Sequence, residues 1–370
     1  MKNPFRYGIV VDKPYFVNRE KEIDDFSRWL SNGESLVIYS PRRFGKTSLI
    51  LKVLKNLNNN GYRTVYIDFF KVHSRIRFVE LYYNAIINAM PPWEKAFKKI
   101  TNLVKNLRPV VSLDQNGQPA VSVQSSEIVS KVDLSEVFDL PQKLAGTKPW
   151  IVVFDEFQEI DKLNGESFEK ELRASIVHHD KVGYAFMGSQ MHMLLNMFTH
   201  RNRAFYQFGK IIELNKIDQG ALLEYLMDRF KKAGFKPSEG ICLKIINICN
   251  NIPHYVQYLA SAVWESGLEN GHSLNEEVLK AAVGKILNNQ SDYFLTMFEN
   301  LTSYQQKVLK AIQANGENIL SSDYAKHYRL KSPSSTQRAV ERLIKDDIIE
   351  KLGSTYFFRD PFFKIWLNEI

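Results

Sequence analysis

A chain of 370 residues, 44% hydrophobic and 24% charged, has room for two or three domains and the make-up of a soluble globular protein. No apolar run approaches the length of a membrane span, and the opening Met1-Lys2-Asn3-Pro4-Phe5-Arg6 lacks the apolar core of a secretory leader, so a cytoplasmic protein is expected. The formal net charge of +8 permits contact with nucleic acid without demanding it. The only cysteines, Cys242 and Cys249, stand seven apart in a helical pattern, which suits core packing better than a metal site or a disulfide.

Residues 16–23 open a helix, with Asn18 as its expected N-cap and Glu20 and Glu22 in the first turn. Ile23, Phe26, Trp29 and Leu30 recur at helical spacing up to a stop at Gly33. Leu36-Val37-Ile38-Tyr39 then reads as a buried strand, Ser40-Pro41-Arg42-Arg43-Phe44-Gly45 as a tight loop, and Lys46-Thr47-Ser48-Leu49-Ile50 as the start of a helix. This is the context of a phosphate-binding P-loop, G-x-x-x-x-G-K-[ST], met at Gly45, Lys46 and Thr47 and missed at Ser40, which replaces glycine. Backbone N–H groups from Arg43 to Ser48 would curl around the β- and γ-phosphates at the positive end of the helix. Lys46 would neutralise the phosphates, and the Thr47 hydroxyl would sit on Mg²⁺. Ser40 is expected to be strained, because it must take backbone angles that glycine takes freely.

The P-loop helix should end near Asn58-Asn59-Asn60-Gly61, followed by a strand over 63–70. Asp68 near the tip of that strand could assist the nucleotide site or simply cap a helix. A helix over 75–90 follows. Residues 91–145 read as an insertion: a basic helix with Lys95, Lys98, Lys99 and Lys105, then a hairpin turning at Asn116-Gly117 with Pro119 marking an edge strand. The lysine face is either solvated or a surface for docking a partner.

Trp150-Ile151-Val152-Val153-Phe154-Asp155-Glu156 is a continuous apolar run ending in two acids, as in a central parallel strand with a Walker B tip. Asp155 would hold Mg²⁺, Glu156 would polarise the attacking water, and Gln158 could help place it. Another buried strand, 184–189, ends at Ser189, which could sense the γ-phosphate, cap the next helix, or both. His200-Arg201-Asn202-Arg203 precedes a fifth strand at 210–214; Arg203 first, then Arg201, is a candidate to reach transition-state charge. His178, His179 and His192 show no metal-ligand spacing.

From Asp218 onward strand signals vanish, and helices are expected at 219–233, 240–250, 253–266 and 275–289, with Pro253 at the first position of the third. Such a helical lid would cover a nucleotide. The last 70 residues read as helices at 302–314, 321–327 and 334–345, then strands at 348–351 and 356–359 turning at Gly353-Ser354: a winged helix-turn-helix. Its third helix carries Gln337, Arg338, Arg342 and Lys345, yet 301–370 holds eleven basic against eight acidic residues, a thin excess for DNA binding.

The assembled pattern resembles the archaeal-type ATPase family, a STAND-class branch of the AAA+ P-loop NTPases that also occurs in bacteria. The resemblance runs nearly the full length. It rests on Phe16-Val17-Asn18-Arg19-Glu20, the Ser40–Leu49 loop, Asp155-Glu156-Phe157-Gln158, Gly188-Ser189, Asn251-Ile252-Pro253-His254-Tyr255 and the ending Tyr356-Phe357-Phe358-Arg359-Asp360-Pro361-Phe362-Phe363-Lys364-Ile365-Trp366. The resemblance implies that Asn18, Arg19 and Pro253 lie near the adenine and ribose, that Ser189 is the sensor serine, that the arginine before the fifth strand is the finger, and that the nucleotide is ATP rather than GTP. Asn18 and Asn251 depart from it, standing where the family often has glycine.

The expectation is an α/β protein: a parallel αβα P-loop NTPase sheet of AAA+ type over 1–216 (insertion 91–145), a helical lid over 217–298 and a winged helix over 299–370. It would bind Mg-ATP and hydrolyse it slowly as a switch signalling through the winged helix. A DNA-binding regulator gated by ATP and a docking scaffold without turnover are the alternatives. Partners would be DNA or a protein at the winged helix or the 91–145 insertion, or further copies of the chain in a nucleotide-dependent oligomer; no membrane is implied.

Overall fold

The computed structural model describes residues 2–104, 109–113, 119–123 and 134–369. These form two compact units, Asn18–Asn215 and the combination of Met1–Val17 with Lys216–Ile370.

The first unit is built on a five-stranded parallel sheet of β1 (Leu36–Tyr39), β2 (Arg63–Asp68), β5 (Trp150–Asp155), β6 (Val182–Gly188) and β7 (Lys210–Glu213), in the order β2-β5-β6-β1-β7. Every residue of β5 and β6 is buried, as expected of central strands covered on both faces. A small antiparallel hairpin, β3 (Pro109–Leu113) with β4 (Pro119–Val123), lies in the insertion. The turn expected at Asn116-Gly117 and the residue Lys105 lie outside the described residues. Asn84 fastens the hairpin to helix Arg75–Asn88: its amide donates to the Val121 carbonyl at 3.2 Å and its oxygen accepts from the Val121 N–H at 2.8 Å.

Aromatic rings fill the core under the sheet. Phe157 packs edge-on against Phe186 at 4.8 Å and stacks near Phe154 at 5.9 Å, and Phe69, Phe78, Phe138 and Phe168 join the same cluster. The rings anchor the residues beside them: Phe154 precedes Asp155, and Phe157 follows Glu156.

Register brings the strand tips together. Tyr39 pairs with Gly188, so Ser40 and Ser189 emerge side by side, and Asp68 pairs with Asp155. The carboxyl edge of an open α/β sheet is where ligands bind, and here it gathers the P-loop, the acidic tip and Ser189.

The second unit is helical at its centre. Gln219–Lys232, Glu239–Ile248, Pro253–Glu269 and Glu276–Glu299 are its first four helices. The last runs ten residues past its expected end at 289, because Phe294 is buried against Phe363 and Trp366. Helices Ser303–Ala314, Ser322–His327 and Pro333–Lys345 and the ribbon β8 (Ile349–Leu352) with β9 (Thr355–Phe358) make the winged helix. A further short helix, Pro361–Trp366, was not expected. Asp360 caps it by accepting from the N–H groups of Phe362 and Phe363 at 2.9 and 3.3 Å, which explains the Asp-Pro-Phe-Phe ending.

The N-terminal segment is part of this second unit. Phe5 is buried against Phe230, ring centroids 4.8 Å apart. The Arg229 guanidinium donates to the Pro4 carbonyl, and Gln257 accepts from the Arg6 N–H at 3.1 Å while donating to the Tyr15 carbonyl at 3.1 Å. Tyr15 lies under two guanidinium groups, Arg6 at 4.7 Å and Arg229 at 4.9 Å.

Candidate nucleotide site

The P-loop helix is Lys46–Asn59. Its N-cap is Gly45, left-handed at φ 88°, with no side-chain cap and no acid in the first turn. A helix N-terminus that follows a tight loop and carries no acid is the arrangement that receives phosphate. Strain does not fall on Ser40 as expected. Ser40 has no positive φ, while Arg43 takes one at 72°. Ser40 is fully buried, its hydroxyl 3.3 Å from the Pro41 carbonyl. Lys46 is buried too, and its ammonium donates to the carbonyls of Ser40 at 2.9 Å and Pro41 at 3.2 Å. Phe44 and Ser48 are buried, whereas Arg42 and Arg43 are exposed, the Arg42 guanidinium lying over the Phe70 ring.

The loop meets the acidic strand tip directly. The Thr47 hydroxyl donates to Asp155 Oδ2 at 2.9 Å. The Tyr66 hydroxyl donates to the same oxygen at 2.7 Å, and the Glu156 N–H donates to Oδ1 at 2.9 Å. Asp155 is only 2% exposed, and burial raises its pKa above the ordinary aspartate value, a push increased by Glu156 and opposed by Tyr66, Thr47 and Lys46. An oxygen pair from Thr47 and Asp155, with the carboxylate desolvated, is a donor set that fits a hard cation, and Mg²⁺ takes few protein ligands when phosphates and water supply the rest.

Glu156 itself stands at φ 49°, an uncommon backbone for a non-glycine residue and one found at functional sites. One carboxylate oxygen, Oε2, accepts three hydrogen bonds: from the Ser189 hydroxyl at 2.7 Å, the Ser189 N–H at 3.1 Å and the Gln158 amide at 2.7 Å. Gln158 is buried in a seat that exists because residue 188 is glycine; a Cβ there would stand 2.2 Å from Gln158 Oε1. Ser189 does not cap the following helix, whose N-cap is Gln190 without a side-chain bond.

Other residues of the sequence reading are placed as follows. Asn18 is exposed and is not the N-cap; that position is Arg19, and Asn18 Oδ1 accepts from the Arg19 N–H at 2.7 Å. Both are left-handed, at φ 54° and 82°. Arg19 is buried, paired with Glu22 at 2.6 Å and donating to the Asn215 carbonyl. Asn251 is left-handed as well, at φ 60°. The two asparagines that depart from the family pattern thus occupy conformations that glycine takes freely and asparagine tolerates better than most residues. Pro253 opens helix Pro253–Glu269 in the other unit. Asp68 accepts from the Phe70 N–H at 3.0 Å and caps a short 3₁₀ turn, Phe69–Lys71. Arg201 is exposed, and Arg203 is bound through Nε, at 3.0 Å, to the buried Glu169. No cluster of three or more metal-binding side chains occurs among the described residues.

Tyr66 is the member that sequence reasoning missed. It lies two residues before Asp68 and so on the same strand face, but its link to Asp155 depends on the pairing of β2 with β5.

Sequence and fold comparisons agree with this geometry. The family described as "ATPase domain predominantly from Archaea" matches residues 16–259, and a "Probable winged helix domain" matches residues 292–369. No curated protein matches the chain in sequence. Among solved structures, the Walker-type ATPase PABY2304 of Pyrococcus abyssi superposes over 99% of both chains with a TM-score of 0.66 at 18% identity. The ORC2 protein of Aeropyrum pernix, solved with ADPNP and ADP, gives 0.57 at 14% identity over 99% of this chain and 98% of that one. The ORC1 protein of the same organism, solved with DNA, gives 0.51 at 13% identity over 100% and 98%. At these identities the structures testify to fold alone. The family match covers well over half of the chain, and with the P-loop, the acidic strand tip and the C-terminal winged helix in place the protein belongs to the archaeal-type ATPases, P-loop proteins of the AAA+ kind.

Proposed function

We propose that the protein is a Mg²⁺-dependent ATP hydrolase that turns over slowly and works as a nucleotide-controlled switch of the STAND class. The observation that carries this reading is the 2.9 Å hydrogen bond from Thr47 to Asp155, which joins the phosphate loop to the acidic strand tip. Thr47 and Asp155 would hold Mg²⁺, which when bound neutralises phosphate charge. The N–H groups from Arg43 to Ser48 would bind the β- and γ-phosphates, and Lys46 would exchange its two loop carbonyls for phosphate oxygens. Glu156 would orient the attacking water with Oε1, since Oε2 is filled by Ser189 and Gln158. Asn18, Arg19 and Pro253 would contact adenine and ribose. Arg203 would serve as the arginine finger, which requires its release from Glu169. The lid at 217–298 would read the nucleotide, and the winged helix at 299–370 would report its state.

No helix among the described residues is long and apolar enough to cross a membrane, and Cys242 and Cys249 are buried free thiols, in keeping with a cytoplasmic protein. A second reading, a DNA-binding regulator gated by ATP, draws on Arg338 and Lys345, exposed on helix Pro333–Lys345. On the same helix Arg342 is paired with Asp346 at 2.7 Å and Gln337 with Glu341 at 2.9 Å, which lessens the charge offered to DNA. The insertion at 91–145 and a nucleotide-dependent homo-oligomer remain candidate sites of partner contact.

The test is ATP turnover and nucleotide binding, measured with and without DNA. Lys46→Ala should lose nucleotide affinity. Glu156→Gln should keep it while turnover falls on the order of a hundredfold or more. Normal turnover in Glu156→Gln would remove Glu156 from the reaction, and no phosphate release at any ATP concentration would favour a scaffold.

A further inference from the structure

Tyr66 sits on β2, next to β5. The register sets Tyr66 opposite Val153 and Asp68 opposite Asp155. Tyr66 and Asp155 therefore share a sheet face two residues out of step, a diagonal that a tyrosine side chain can span. It does so: its hydroxyl reaches Asp155 Oδ2 at 2.7 Å.

The consequence concerns the orientation of the carboxylate. The terminal torsion of an aspartate is soft, so the directions of its oxygens are set by its partners. The Glu156 N–H holds Oδ1, and Thr47 and Tyr66 hold Oδ2. Thr47 stands in the first turn of the helix Lys46–Asn59 and would turn to the cation, whereas Tyr66 reaches Oδ2 from a strand of the sheet. The phenol hydroxyl brings a hydrogen to Oδ2, as the Thr47 hydroxyl does from the other side of the site.

We propose that Tyr66 is a positioning residue for Asp155, keeping Oδ2 turned toward the Thr47 hydroxyl so that the pair is ready for a divalent cation. The inference rests on the reading of Thr47 and Asp155 as the Mg²⁺ ligands. Nothing in the P-loop or Walker B patterns requires a tyrosine at this place.

The test is binding of a fluorescent ADP analogue during a Mg²⁺ titration, alongside the same measurement in EDTA. Tyr66→Phe keeps the ring and removes the donor. Tyr83→Phe is the control, because the Tyr83 hydroxyl is buried and has no hydrogen-bond partner among the described residues. Tyr66→Phe should need roughly three- to tenfold more Mg²⁺ for half-maximal effect, the worth of one buried hydrogen bond, with metal-free binding within about twofold of wild type. Tyr83→Phe should follow wild type, and Tyr66→His, whose shorter ring stops short of Asp155 Oδ2, should show the same shift as Tyr66→Phe. Thermal unfolding establishes that each variant is folded; if Tyr66→Phe is not, the Tyr66→His titration decides. An unchanged Mg²⁺ dependence in Tyr66→Phe, or an equal shift in Tyr83→Phe, overturns the proposal. Wild-type binding indifferent to Mg²⁺ overturns the metal-site reading itself, a result visible without any variant.

Discussion

Ser189 gives both its hydroxyl and its backbone N–H to a single oxygen of Glu156, at 2.7 and 3.1 Å. The hydroxyl is thus a device for aiming a carboxylate, whatever else it senses. Ser189→Ala leaves the N–H and the Gln158 amide in place, so Glu156 should lose direction rather than charge. We expect turnover to fall about tenfold with nucleotide affinity within about threefold of wild type, since a hydrogen bond to a charged group is worth about 1.5 kcal/mol or more. Steady-state kinetics beside a binding titration would check it; a selective loss of affinity would speak against the aiming role.

Arg203 and Glu169 form a largely buried pair, with side chains 21% and 2% exposed. Removing one partner leaves an uncompensated buried charge, which costs about 3 kcal/mol. Arg203→Ala should therefore lower the unfolding temperature by several degrees as well as lowering turnover. Arg201 is exposed, so Arg201→Ala should leave the unfolding temperature unchanged. Turnover per folded molecule, compared between the two variants, tells whether Arg203, Arg201 or neither reaches the transition state.

Asp155 should reduce stability while serving chemistry. Its pKa in the fold is raised by burial, so the unfolded chain gives up this proton at lower pH than the folded one does. Stability is then lost as pH climbs from the unfolded value through the folded one, and at neutral pH the charge is a net cost. Asp155→Asn should raise the unfolding temperature of the nucleotide-free protein by about 2 °C or more, and should abolish the stabilisation that Mg²⁺ with ADP gives wild type. Calorimetry in the two conditions would separate the effects.

His179 makes the opposite demand on pH. Burial lowers its pKa despite the pull of Asp139 at 3.1 Å, with His178 and Lys143 pushing the same way as burial, and the Tyr184 hydroxyl lies 2.7 Å from Nδ1. The unfolded chain takes up this proton first, near pH 6.5, so stability should be full above that value and fall as pH drops toward the lowered folded value. Unfolding temperatures measured from pH 7.5 to 5.5 should decline, and less steeply in His179→Gln.

Much of this fold could be read from residues alone, and the reasons are local. Continuous apolar runs announce buried parallel strands, and β5 and β6 are buried at every position. The loop residues from Gly45 to Thr47 announce a phosphate site because backbone geometry and charge must coincide there. What escaped was set by contacts across the chain. Tyr66 acquires meaning only through its register with β5, which no spacing within β2 discloses. The helix Glu276–Glu299 outran its expected end because Phe294 found its partners some seventy residues later, in Phe363 and Trp366. Ser40 seemed costly because the pattern prescribes glycine there, yet the left-handed turn is taken up by Arg43 and Gly45.

The first residues carry a practical consequence. The family match begins at residue 16, and a shortened protein would naturally be started there. Phe5, the Pro4 carbonyl and Tyr15 belong to the helical unit that resumes at Lys216, so that trimming would take a wall from a domain encoded two hundred residues downstream. The loss should appear as a helical unit that unfolds early while the ATPase sheet still melts as before, and an affinity tag fused close to Phe5 would press on the same packing.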